Sequence, residues 1–107
     1  MKHETDPFVA DVADQSNVQM NADVALINGL AAVHISYGRF NSAADLIGLA
    51  QWCAPADPET QGLAARLAAK RGDQTTAITI LRKIRRDNDT MPARDVALLA
   101  RLTRLAH

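Results

Sequence analysis

The sequence predicts an all-α protein. Two observations carry that expectation: only 4% of its 107 residues are aromatic while 48% are hydrophobic, and its apolar residues recur at helical rather than alternating spacing. A third observation sharpens it. Gly38-Arg39-Phe40 and Gly72-Asp73 each precede an alanine at the same offset, Ala43 and Ala77, and the two stretches lie 34 residues apart.

Residues 1–21 mix Asp, Gln, Ser and Asn with scattered apolar positions (Phe8, Val9, Val12, Val18 and Met20), a pattern expected of an N-terminal tail or loosely docked helix. From Ala22 to Ser36, apolar residues at 22, 26, 27, 30, 31 and 33 form a broad helical face. Gly38 can accept the positive φ of a helix C-cap, so the chain reverses there and a second helix follows from Phe40 to Cys53. Ala54-Pro55-Ala56-Asp57-Pro58 ends that helix and starts another: Pro55 disfavours helix before it, Asp57 can cap, and Pro58 suits the first turn. The third helix should reach Lys70, the fourth should span Gln74 to Asp87, and the last should run from about Pro92 to Ala106.

Residues 22–107 thus read as one domain of repeated helical units, 24–57 and 58–91, with a half unit at 92–106. Small residues at Ala31, Ala43, Ala65 and Ala77 would let paired helices approach closely. Stacked pairs would share a continuous core. A simple alanine-rich bundle with an accidental period is the alternative.

Formal charge is zero at pH 7, but five acids oppose Lys2 over residues 1–23, and seven basic residues oppose Asp87, Asp89 and Asp95 over residues 82–107. The chain is a dipole by sequence. "LRKIRR" (81–86), with Arg94, Arg101 and Arg104, could meet phosphates, yet a solvated helix face explains the run, so no nucleic-acid partner is expected. One cysteine, no apolar run of membrane-spanning length and an acidic start suggest a cytoplasmic protein with no membrane span.

No catalytic motif emerges. His3, His34 and His107 stand far apart, and Cys53 has no neighbouring base, so His34 and Cys53 read as packing residues and neither a metal nor a cofactor is expected. The five glycines are dispersed, without phosphate-loop or dinucleotide-binding spacing. The chain is not expected to be an enzyme.

The 34-residue unit resembles the tetratricopeptide repeat: a small residue at Ala31, glycine before Arg39-Phe40, alanines at 43 and 50, and proline at 55. In the second unit Gly72 and Ala77 fit, while Ile84 and Asp89 stand where Ala and Pro are usual. The resemblance implies antiparallel hairpins stacked in a short right-handed superhelix whose concave floor holds the partner. Carried over by repeat position, the binding groove would comprise Asn28, Ile35, Gly62, Arg66, Ala69, Lys70, Val96 and Arg104. Ala32 and Gly62 stand where a carboxylate clamp wants polar groups, so an amphipathic helix is the expected occupant. The edges of so short a stack, with Val24, Leu26, Ile27, Leu98, Leu102 and Leu105, would need covering by the N-terminal segment, another subunit or a partner.

Among such proteins the chain is similar to the small cytoplasmic chaperones of bacterial type III secretion that hold the needle subunit. That resemblance implies a chaperone gripping an amphipathic helix of the needle protein and preventing premature polymerisation, with a small co-chaperone or a homo-oligomer as further partners. A general protein-protein adaptor without a secretion role is the alternative.

Overall fold

The structure, a computed structural model, describes the backbone of residues 7–105 and the side chains of residues 19–105. It holds five α-helices: α1 (Pro7–Ser36), α2 (Phe40–Cys53), α3 (Pro58–Lys70), α4 (Gln74–Asp87) and α5 (Ala93–Leu105). The protein is an all-α, helical-repeat-like bundle held by helix-helix packing. Its most extensive contacts are within α1/α2 and α3/α4, with α2/α3, α4/α5 and α1/α3 joining the pairs.

The reversals follow from local chemistry. Gly38 (φ 75°) and Gly72 (φ 86°) are the positive-φ residues among those described, a conformation in which a Cβ would crowd the backbone. Around Gly38, its own N–H donates to Ile35 O at 3.0 Å and Arg39 N–H to His34 O at 2.8 Å. Around Gly72, its N–H donates to Ala69 O at 3.1 Å and Asp73 N–H to Ala68 O at 2.8 Å. Both are Schellman caps, with every participant displaced by the same 34 positions.

Packing repeats in the same register. Ala31 and Ala65, Ala43 and Ala77, Ile47 and Leu81, and Ala50 and Ile84 are all buried. One core cluster joins α1, α2 and α3 through Ala31, Ile35, Ala43, Ile47, Leu63 and Leu67. A second joins α3, α4 and α5 through Ala65, Ala77, Leu81, Ile84, Leu98, Leu99 and Leu102. Helix α3 belongs to both and ties the units together.

Two sequence expectations change. The first helix begins at Pro7 rather than Ala22; Asp6-Pro7 is the same dipeptide as Asp57-Pro58, which opens α3. Of the six edge residues, Val24, Leu98 and Leu102 are buried, Ile27 is half-buried, and Leu26 and Leu105 are exposed. The two α5 leucines are buried because that helix closes the second core cluster.

Candidate interaction surface

Asn28, Ile35 and Gly62 all lie in contacts between helices. Asp57 caps α3, its Oδ2 accepting from Thr60 N–H at 3.0 Å. The Thr60 hydroxyl lies 2.8 Å from Asp57 Oδ2 and 3.0 Å from Asn28 Oδ1, and shares its single proton between them. Asn28 Nδ2 completes the triangle by donating to Asp57 Oδ2 at 3.3 Å. Asn28 and Thr60 are buried, so this network holds α1 to the start of α3. Ile35 is part of the first core cluster.

Gly62 lies beneath α5. A Cβ there would sit 2.8 Å from Asp95 Oδ2, so the missing side chain lets the Asp95 carboxyl rest against α3. Asp95 is almost wholly buried, and its Oδ1 has no hydrogen-bond partner. Burial pushes its pKa above the ordinary value, opposed by the nearby Arg94 and Arg66 cations, with Glu59 adding to the rise. At the rim, Arg94 donates to Glu59 and bridges α5 to α3.

Three other groove residues, Arg66, Ala69 and Lys70, line one hollow of about 170 Å³ between α3 and α5, together with Gln74, Leu98, Arg101, Leu102 and Leu105. The leucines and Ala69 supply apolar surface, while Arg66, Lys70 and Arg101 supply three cations. No acidic residue lines it. Burial, then the like charge of Arg94, lowers the Arg66 pKa against the pull of Asp95 and Glu59. The guanidinium nevertheless stays protonated at any physiological pH. Its Nε is buried without a partner.

Val96 falls elsewhere, in a hollow of about 280 Å³ with Arg85, Met91, Leu99, Ala100 and Thr103. Arg104 is exposed on α5 and lines neither hollow. Arg101 is the hollow residue that the sequence placed only in a general basic face. Its spacing with Leu98, Leu102 and Leu105 was the available signal, because those positions share a helix face.

His34 and Cys53 are half-buried, and His34 Nδ1 is enclosed without a partner. Among the described residues no group of three His, Cys, Asp or Glu side chains could hold a metal ion. Likewise, no helix among them is long and apolar enough to cross a membrane. No protein-family model, no curated protein and no solved structure matches the chain.

Proposed function

We infer that this chain is a protein-binding adaptor that receives an amphipathic helix of another protein on its α3/α5 surface. The observation that carries the reading is the hollow between those helices, where Leu98, Leu102 and Ala69 lie among Arg66, Lys70 and Arg101. Apolar floor beside cations suits a helix with a leucine-type stripe bordered by Asp or Glu: apolar burial supplies attraction, and the charges set orientation and exclude basic segments. No covalent step or cofactor enters this reading. Stacked tetratricopeptide-like hairpins are the form of scaffold it assumes, supported by the repeated turns and the burial register.

The narrower reading, a cytoplasmic type III secretion chaperone that shields a needle-subunit helix, takes its support from the sequence resemblance and assigns the occupant of the same surface. Affinity capture from the native cell tests both. The wild-type chain should retain a helical protein that a Lys70→Glu/Arg101→Glu variant, still folded by circular dichroism, releases. A small helical secretion subunit among the captured proteins selects the chaperone; another protein selects the adaptor. Equal retention by wild type and variant removes this surface from consideration.

A further inference from the structure

Helix α1 is apolar on two opposite faces. Val24, Ala31 and Ile35 are buried on one. On the other, Leu26 is 65% exposed, Leu30 45%, Val33 50% and Tyr37, in the turn after the helix, 77%. The intervals of four, three and four residues align these side chains in one seam at the spacing of a two-helix coiled coil. A helix apolar on two faces is normally covered on both.

The repeat shows what this face does. Displaced by 34 positions, Leu26, Leu30 and Val33 become Thr60, Ala64 and Leu67 of α3. There Thr60 and Leu67 are buried, and Ala64 and Leu67 join Ile35 and Ile47 in the first cluster. The face is therefore a stacking surface, filled in α3 by the preceding pair.

We propose that a second copy of this chain covers the α1 seam, the two α1 helices packing antiparallel about a twofold axis between Leu30 and Val33. In that register Leu30 of one copy meets Val33 of the other, and Leu26 meets Tyr37. Each seam thereby satisfies itself, as an isologous interface requires. Charge selects the direction. Asp23 borders one end of the seam and Arg39 the other, both exposed. Antiparallel packing brings Asp23 level with the partner's Tyr37–Phe40 turn, where Arg39 lies; parallel packing would oppose like charges at both ends. Gly29 flanks the seam, and nothing among the described residues lies within 4 Å of where its Cβ would be. Packing among them thus gives no reason for glycine there, whereas the close approach of a second helix does.

Sedimentation equilibrium of the full chain over the micromolar range tests the proposal. The expected mass is that of two chains, and Leu30→Glu, on an outer helix face, should give a single-chain mass with unchanged helical circular dichroism. Asp23→Arg and Arg39→Asp each break both symmetry-related pairs of the dimer and should each weaken association by up to about 25-fold, about fivefold for each exposed ion pair at the upper range, and their combination should restore it. Arg39→Asp puts a capping carboxylate before α2, as Asp73 is before α4, so its effect is not a loss of fold. A wild-type chain that stays single throughout overturns the proposal, as does a Leu30→Glu chain that remains a dimer. If the double charge reversal fails to restore association, the antiparallel register is wrong.

Discussion

The two helix pairs use the same turn and the same buried small residues, yet their first helices are held differently. In the second pair, α3 packs on both sides, sharing Leu63 and Leu67 with the first cluster and Ala65 with the second. In the first pair, α1 packs on one side and presents Leu26, Leu30 and Val33 outward. The caps differ too: Asp57 and Asp73 cap α3 and α4 through side-chain oxygens, whereas Arg39 precedes α2 with no side-chain cap bond. A repeated unit thus repeats its internal geometry, while its outer faces depend on what stands beside it.

The most severe way to break the comparison is to empty the better-enclosed unit. Leu81 is fully buried in a cluster spanning three helices, so Leu81→Ala should cost about 2 to 5 kcal/mol. Urea unfolding followed by circular dichroism reads this directly. Ile47, its counterpart in the first pair, also occupies a three-helix cluster, and Ile47→Ala should fall in the same range. A cost below about 1 kcal/mol at Ile47 alone would show that the first pair relaxes around the lost volume.

Next in size is the junction between the pairs. Asp57 serves Thr60 N–H, the Thr60 hydroxyl and Asn28, whereas the Asp73 side chain accepts from Thr76 N–H. Asp57→Ala should therefore cost about 2 kcal/mol, the upper end for a helix cap. It should also exceed the cost of Asp73→Ala in the same denaturant titration. Equal costs would mean that Asn28 contributes nothing through this bond.

The parts of the fold written in the sequence are those fixed by near neighbours. Gly38 and Gly72 announced their turns because positive φ is a property of one residue, and Pro58 announced α3 because its constraint is local. Ala31, Ala43, Ala65 and Ala77 were legible as contact positions because close helix approach needs small residues at a recurring offset. The network of Asn28, Asp57 and Thr60 was not legible, since its members come from two helices and only their placement makes a polar side chain at position 28 a structural one. Gly62 and Asp95 escaped for the same reason: a glycine inside a helix gains meaning when another helix lays a carboxyl over it. The groove positions inherited from the repeat consequently lie in different surroundings, three in a cationic hollow and others in contacts between helices.

A smaller effect tests whether the two reversals are equivalent. Gly38→Ala and Gly72→Ala should each cost about 1 to 2 kcal/mol, because both force a Cβ into left-handed backbone and neither meets an atom of the described residues within 4 Å. Thermal unfolding should show matching losses. A marked inequality would locate strain at one turn that the common φ and hydrogen bonds do not reveal.

The smallest effect separates the carboxylates by pH. Asp73 has a pKa below its ordinary 3.8 because Thr76 donates to its carboxylate, so its contribution is present above 3.8 and lost as pH falls through the lowered value. Asp95 has the opposite sign. Burial raises its pKa above 3.8, so its favourable contribution is complete below 3.8 and disappears as pH rises through the raised value, leaving an enclosed charge over Gly62 above it. Asp95→Asn removes that charge while keeping the shape, and should stabilise the fold at pH above the raised value by up to about 1 kcal/mol. Its advantage over the wild type should shrink as the buffer is acidified toward 3.8. Unfolding midpoints measured for both chains across that interval check the sign: an advantage that grows on acidification would mean that Arg94 and Arg66 stabilise the Asp95 charge by more than burial penalises it.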